Sequence, residues 1–192
     1  EACTFWGACG AVRRDVFLRV GGFSEEYPQP SIEDIELGAR LRRGGHAIRL
    51  CKALQVKHWK RWSAGSLLRT DIFRRALPWT ALILRQRRFP NDLNLRWSSR
   101  ASVALLYAML ALLVAGAWWR WCLVAAAGAA VAAAALNAPL YRFFLRKRGA
   151  WFALRAVPWH WLYYLYGGLA FAVGLVGCGL RRSGRRPRAA PD

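Results

Sequence analysis

The sequence predicts an α/β unit at the start of the chain, followed by interfacial and transmembrane α-helices. Charge is unevenly spread: residues 1–100 hold nine of the 10 Asp and Glu and 19 of the 30 Lys and Arg. Residues 101–192 hold one acid, at the last position, and consist of long apolar runs separated by basic clusters, which is a membrane composition. Residues 1–62 instead combine short helical patterns with short alternating, strand-like ones.

The net charge of +20 is compatible with binding either to nucleic acid or to anionic lipid. The bases flank apolar runs, and no zinc-finger spacing or RNA-binding motif accompanies them. We therefore predict anionic membrane lipids as partners and no nucleic acid. The five cysteines are odd in number and form no CxxC pair, so we expect reduced thiols and neither a disulfide frame nor a zinc site.

Two helices are predicted in residues 1–62. The apolar, glycine-rich start leads into the short helix RRDVFLRV, which Gly21 and Gly22 close. Ser31 is expected to cap the second helix, with Asp34 in the place of the capping-box Glu. The apolar side of this helix is predicted to be formed by Ile35, Ala39 and Leu41. The alternation after it, in residues 46–59, predicts one or two short strands.

Residues 63–100 form a predicted amphipathic segment. Its apolar residues fall on one helical stripe among several arginines, and Pro78 is expected to break or kink it. A basic, aromatic-bearing stretch just before apolar runs is typical of a helix lying in the membrane interface, although an ordinary surface helix fits the same pattern. The stripe is made of Leu68, Ile72, Ala76, Trp79 and Ile83.

Transmembrane helices are predicted over residues 101–180, and a basic, disordered tail over 181–192. The expected spans are 101–119, 122–140 and 159–180, from their length and lack of charge. The basic stretch from Arg142 to Arg155 is expected to be a cytoplasmic loop, because short basic loops are retained inside. The third span conflicts with this rule, since crossing would export the basic tail.

Three of the ten acids lie in one predicted helical turn, at Glu33, Asp34 and Glu36. Backbone N–H groups and the dipole at a helix N-terminus stabilise negative charge, which suits a carboxylate acting as a general base. Such acids are also good caps, and the helix by itself is better explained by capping alone.

Neighbouring motifs favour the catalytic interpretation. Between residues 5 and 62 a small-residue turn with Arg-Arg, then GGF, an ED pair, LGARL and VKHW follow one another. In order and spacing these motifs resemble the C-terminal half of the catalytic domain of family-2 glycosyltransferases with the GT-A fold. The membrane helices that follow resemble the membrane-bound members of that family.

The resemblance implies a role for each matching residue. Asp34 would be the catalytic base for the acceptor hydroxyl, and Glu33 would orient it or shape the acceptor site. His58 would bind the donor diphosphate or its metal, with a solvent-facing His as the alternative. Glu36 would face away and either cap the helix or pair with Arg40. The implied acceptor-binding residues are Phe5, Trp6, Gly7, Cys9, Arg61 and Trp62.

The resemblance also implies Mg²⁺ or Mn²⁺, a nucleotide-sugar donor and a lipid-linked or glycan acceptor. The family holds the metal mostly in an N-terminal half with a DxD motif, and no Asp-x-Asp occurs in this sequence. We therefore expect a fragment of an inverting enzyme, inactive alone, with its catalytic part on the cytoplasmic side of a bacterial inner membrane. The alternative is a non-catalytic, basic integral membrane protein that binds anionic lipid or a partner protein.

Overall fold

In the part of the chain that the structure describes, helices make up the regular structure. The computed structural model describes Ala2, Trp59 and Asn91 and residues 4–57, 61–86 and 95–183, with the backbone alone for 178–183. In these residues the one extended pairing is an antiparallel bridge in which the Ala2 N–H donates to the Ile48 carbonyl at 2.8 Å. The predicted α/β fold is therefore wrong for the described chain, which has helices and no strand.

The predicted strands fail because a strand needs a neighbour for its backbone hydrogen bonds. In the described chain, Ala2 provides such a neighbour at one position only. The alternating residues beyond Ile48 therefore have no sheet to join, and their apolar side chains remain in contact with solvent. Leu50, Leu54 and Val56 are each exposed.

The chain divides into two compact units, the first made of Glu1–Arg87 and Val173–Asp192 and the second of Arg88–Ala172. The first unit begins with α1 (Arg14–Arg19) and α2 (Glu33–Arg43). It continues with α3 (Ala64–Arg69), a π-helical segment (Thr70–Ala76) and α4 (Leu77–Gln86).

The short helix α1 confirms the first predicted helix. Asp15 lies in its first turn and Arg19 in its last, which suits the helix dipole. The chain then reverses through Gly21 and Gly22, whose φ angles of 83° and 65° are costly for any residue with a Cβ. The apolar side of α1 packs on α2 around Val16, Leu37 and Leu41, with Phe5, Val12, Phe17, Val20 and Ile48 at the edge of this core.

Helix α2 begins as predicted near the acidic cluster, but its cap and its buried face differ. Ile32 is the N-cap and contributes no side-chain bond, so the predicted Ser31 cap and its capping box are wrong. The Ser31 hydroxyl instead donates to the Arg74 carbonyl. The buried residues of the helix are Glu36, Leu37, Gly38 and Leu41, so of the predicted apolar side Leu41 alone is fully buried.

Pro78 disturbs the helix that contains it without ending it. Proline has no N–H, so it cannot donate to the carbonyl four residues earlier, that of Arg74, and its ring crowds that carbonyl in an α-helix. The chain widens into the π-helical segment directly before α4. The Ser31 hydroxyl donates to this same Arg74 carbonyl, which ties the loop before α2 to the π-helical segment.

Of the predicted amphipathic stripe, Ile83 is buried and the other four residues are half-buried. Leu82, Ile83 and Thr80 are buried, and a Cβ on Gly174 would come within 2.7 Å of the Thr80 side chain. Asp71 is also buried and accepts a bond from Arg75 at 3.1 Å. The interfacial position of residues 63–100 stays a prediction. Among the large apolar side chains of α3, the π-helical segment and α4, that of Phe73 is the most exposed.

The second unit contains α5 (Trp97–Ala115), α6 (Trp121–Leu136), α7 (Ala138–Arg148) and the larger part of α8 (Ala150–Ser183). In the described chain, α5 is long and apolar enough to cross a bilayer, and only 11% of its apolar stretch is buried. Helices α6 and α7 would be long enough only if counted together across a 65° bend. The basic stretch predicted as a loop is helical, interrupted at Gly149.

The helices lie near the predicted spans with shifted ends. Helix α5 starts and ends four residues before the predicted span 101–119. Helix α6 ends at Leu136, four residues before the end of the predicted span 122–140. The third predicted span lies inside α8. Whether the second and third segments cross a membrane stays a prediction.

Asn137 sits at the bend between α6 and α7 and is 8% exposed. Its amide nitrogen donates to the Ser102 hydroxyl and to the Ala133 carbonyl, both at 2.8 Å. Its amide oxygen accepts a bond from the Tyr164 hydroxyl at 2.8 Å. One side chain therefore joins α5, α6 and α8, beside the apolar cluster of Leu106, Ala133 and Tyr164.

Candidate active site

Asp34 lies in the first turn of α2 and is half-buried. Its Oδ2 accepts the Gly7 N–H at 3.0 Å, and its Oδ1 accepts the Ile35 N–H at 2.8 Å. The structure thus brings together the two motifs predicted to form the site, although Gly7 and Asp34 are 27 positions apart. A carboxylate has about four acceptor positions, so two backbone donors fix its plane and leave capacity for a ligand hydroxyl.

Close backbone contact makes this arrangement possible. A Cβ on Gly38 would come within 2.6 Å of the Phe5 backbone nitrogen, so glycine is required where α2 crosses the start of the chain. A Cβ on Gly7 would lie 3.3 Å from the Asp34 Cβ. The small residues of the predicted turn therefore let the backbone approach the Asp34 carboxylate.

Glu33 is directed toward the loop before α2. Its Oε2 accepts the Ser31 N–H at 2.6 Å. The bond fixes the backbone at Ser31, just before the helix and three residues before Asp34. A direct role for Glu33 in shaping an acceptor site stays a prediction.

Glu36 pairs with Arg40 as predicted, but it is buried and does not face away. The Arg40 Nη2 lies 2.7 Å from Glu36 Oε2, and its Nε donates to both carboxylate oxygens at 2.8 and 2.9 Å. The same guanidinium donates to the carbonyls of Val20 and Gly22, the latter at 2.6 Å. Arg40 therefore holds the glycine turn after α1 against α2.

This function of Arg40 was missed at the level of sequence. The four-residue spacing of Glu36 and Arg40 shows that they can pair on a helix. That the turn carbonyls are the other partners depends on how α1 packs on α2, which no local pattern shows. The requirement for Gly38 was missed for the same reason.

An apolar pocket of about 430 Å³ opens beside the Gly7 loop. Phe5, Gly7 and Leu37 form part of its wall, together with Phe17 and Phe23, whose rings meet edge to face at 5.6 Å. Arg14 adds a positive charge to the wall. Aromatic faces with one charged group suit the apolar face of a sugar. The acceptor-binding role of Phe5 and Gly7 stays a prediction, and their position in the wall of this pocket is compatible with it.

The other predicted acceptor residues are exposed. Trp6 is 50% exposed and lies next to Gly7, where its ring is available for stacking. Cys9 is an exposed free thiol in the same turn. Arg61 and Trp62 are exposed in the segment before α3. His58 lies outside the described residues, and all these assignments stay predictions.

Tyr27 is half-buried and lies close enough to Glu26, Glu36 and Arg85 to interact with their charges. Burial raises the pKa of Tyr27 above its usual value of 10.0, Arg85 opposes the rise, and Glu36 and Glu26 reinforce it. The phenol is therefore neutral at physiological pH. Arg85 and Glu26 also form an ion pair at 3.0 Å, which contributes little to stability because both side chains are exposed.

The described residues do not form a metal site. In that part of the chain, no three His, Cys, Asp or Glu side chains come close enough to hold a metal ion. The Mg²⁺ or Mn²⁺ implied by the resemblance stays a prediction.

Replacing Gly38 by alanine should destabilise the first unit by about 1–3 kcal/mol, since the added methyl group meets backbone at Phe5. The displaced loop should also lose the Gly7–Asp34 bond, so the Gly7 amide should exchange its hydrogen faster. Gly65→Ala is the matched control, because Gly65 lies in α3 with nothing within 4 Å of its added Cβ. Equal protection of the Gly7 amide in the two variants would contradict the required close approach.

Comparison with known proteins points to a class of enzyme. Over 59 residues the chain is 41% identical to the N-acetylglucosaminyl-diphospho-decaprenol L-rhamnosyltransferase of Mycobacterium tuberculosis strain CDC 1551 / Oshkosh. The protein of the same name from strain ATCC 25618 / H37Rv matches equally. The matched stretch is 31% of this chain and 19% of each relative, so the chain spans about a fifth of the relatives' length.

No family model and no solved structure matches the chain. Part of the chain is thus similar to a glycosyltransferase, which agrees with the general class of enzyme that the motifs resemble. Membership of family 2 is not shown, and the GT-A fold is not found in the described residues.

Proposed function

We propose that this chain is part of a membrane-bound, inverting glycosyltransferase in which Asp34 is the general base. The observation that carries the proposal is the Asp34 carboxylate, fixed by the Gly7 and Ile35 N–H groups beside an aromatic pocket. The similarity of part of the chain to a rhamnosyltransferase supports sugar transfer as the reaction.

In the proposed reaction, a free lone pair of the Asp34 carboxylate takes the proton of an acceptor hydroxyl. The hydroxyl oxygen then forms a bond to the anomeric carbon of the donor sugar, and the bond from that carbon to the nucleotide diphosphate breaks. Attack from the face opposite the leaving group inverts the anomeric centre. The leaving group carries the electron pair away, and the proton stays on Asp34 until solvent removes it.

A lipid-linked acceptor fits the chain best. The relatives are named for an acceptor in which a sugar is joined through diphosphate to decaprenol. Helix α5 can cross a bilayer, so the chain can hold its first unit close to a lipid-borne substrate. We propose a polyprenyl-diphosphate-linked sugar as the acceptor, a nucleotide sugar as the donor, and a site on the cytoplasmic side of a bacterial inner membrane.

The test uses the complete reading frame that contains these 192 residues, expressed and collected in membranes. We expect labelled sugar to pass from one member of a nucleotide-sugar panel, nucleotide-activated rhamnose included, to added polyprenyl-diphospho-N-acetylglucosamine. Extraction into organic solvent and the anomeric configuration of the product report transfer and inversion. A product with retained configuration would contradict the mechanism, and no transfer from any donor would favour the non-catalytic alternative.

A further inference from the structure

The second unit contains a strongly basic, aromatic corner, which we call the basic elbow and define as residues 138–155. It consists of α7 and the first turns of α8, joined at Gly149, whose φ is 84°. No Asp or Glu occurs between Asp92 and Asp192, so its charge has no acidic counterpart nearby in sequence. The basic residues of the elbow are Arg142, Arg146, Lys147, Arg148 and Arg155.

The direction of α7 is set by the protein. Its axis departs from that of α6 by 65°, and the bend is held by the three hydrogen bonds of Asn137. Helix α6 has 16 residues and is about 24 Å long. If α6 runs close to the membrane normal, α7 is tilted by 65° from that normal and therefore runs at a shallow angle along the headgroups.

One side of α7 is fixed to α8 and the other is open. Tyr141 places its hydroxyl 3.0 Å from His160 Nδ1, and the Phe144 ring meets Phe152 at 5.4 Å. The open side carries Phe143, which is 54% exposed. The other exposed large apolar residues of the elbow are Leu140, Leu145, Trp151, Phe152 and Leu154.

Apolar and basic groups are interleaved on this exposed surface. The Arg155 guanidinium lies 5.9 Å from the centre of the Trp151 ring, a Trp–Arg pair of the kind found at membrane interfaces. Exposed Phe, Leu and Trp side chains are costly in water but enter the boundary of the acyl chains. Arg and Lys stems then cover apolar surface while their charged ends reach phosphate groups.

We propose that the basic elbow binds the headgroups of anionic phospholipids, with α7 lying in the plane of the membrane surface. The charge of the elbow and its exposed apolar side chains together fit this partner, since either feature alone would suit free phosphate or an apolar ligand. The surface is independent of the proposed sugar transfer and of the segment 63–100.

The first test measures lipid preference. The full chain is reconstituted in nanodiscs containing equal parts of phosphatidylcholine and phosphatidylglycerol, and the association of spin-labelled analogues of both lipids is compared. In the triple variant Arg142→Gln, Arg146→Gln, Lys147→Gln, we expect the preference for phosphatidylglycerol to fall by about three-fold or more. The matched control, Arg43→Gln, Arg49→Gln, Lys52→Gln, removes the same charge from exposed residues of the first unit and should keep the preference.

The second test measures depth and does not depend on the charge variants folding. A spin label at Phe143→Cys, in a chain whose native cysteines are replaced, should be more accessible to oxygen than to a water-soluble nickel chelate. The proposal is overturned if this label is freely accessible to the chelate. It is also overturned if both triple variants lose preference equally, or if inorganic phosphate abolishes the preference of the native chain.

Discussion

Asp34→Asn is expected to lower the rate of sugar transfer by about two to four orders of magnitude, with a much smaller loss of donor binding. An amide is too weak a base to take the acceptor proton. The structure adds a second effect, because both carboxylate oxygens accept backbone N–H groups, from Gly7 and from Ile35. Asparagine keeps one acceptor oxygen and turns its amide group toward the other donor.

The control for Asp34→Asn is Glu33→Gln, which removes a negative charge from the same turn of α2. We expect a loss below about ten-fold, since Glu33 binds the Ser31 backbone and not the carboxylate of Asp34. Transfer rates are measured in the complete enzyme, and protection of the Gly7 amide shows whether the loop stays in place. Near-normal turnover of Asp34→Asn, or equal losses in the two variants, would refute Asp34 as the base.

Arg40→Met should have the largest effect on stability, a loss of about 3–5 kcal/mol in the first unit. The Arg40 and Glu36 side chains are 21% and 11% exposed, so removal of the cation leaves a carboxylate largely buried and unpaired. The carbonyls of Val20 and Gly22 also lose their donor. Because the free energy of unfolding of an ordinary domain is only about 5–15 kcal/mol, this loss is a large part of it.

Hydrogen exchange of the full chain in detergent micelles measures the Arg40 effect, through the amides of Gly22 and of α2. Arg43→Met is the matched control, a change of the same kind on an exposed residue of the same helix, and should alter exchange little. Glu36→Gln combined with Arg40→Met should recover part of the loss, because no buried charge remains. Unchanged protection in Arg40→Met would show that the glycine turn is held by the apolar core alone.

Local signals in the sequence predicted the features that depend on neighbouring residues. Gly21 and Gly22 end α1 because their φ angles suit glycine, and the acidic cluster does begin α2. That Asp34 and the Gly7 turn belong to one site was implied by the resemblance of the motifs, and no local signal predicted the hydrogen bond between them. The uncharged run that predicted the first membrane span lies mostly within α5.

Features that depend on distant partners were not predictable in this way. The strand-like alternation after Ile48 indicates that this segment could join a sheet. Whether it does so depends on a second strand elsewhere in the chain. The Ser31 hydroxyl could cap α2, but the Arg74 carbonyl, 43 residues away, accepts it instead. The Arg74 carbonyl has no α-helical donor, because Pro78 has no N–H. The wrong prediction of a Ser31 cap therefore has its cause in α4, which is distant from Ser31 in sequence.

The Asn137 amide has a consequence for how the chain is made. Its hydrogen-bonding partners are supplied by Ser102 on α5, which the ribosome produces earlier, and by Tyr164 on α8, which it produces later. Until α8 is made, the amide oxygen has no tyrosine to bind, and burying an unpaired amide costs a few kcal/mol. The α6–α7 corner should therefore keep its amide in contact with water during synthesis and reach its final packing together with α8.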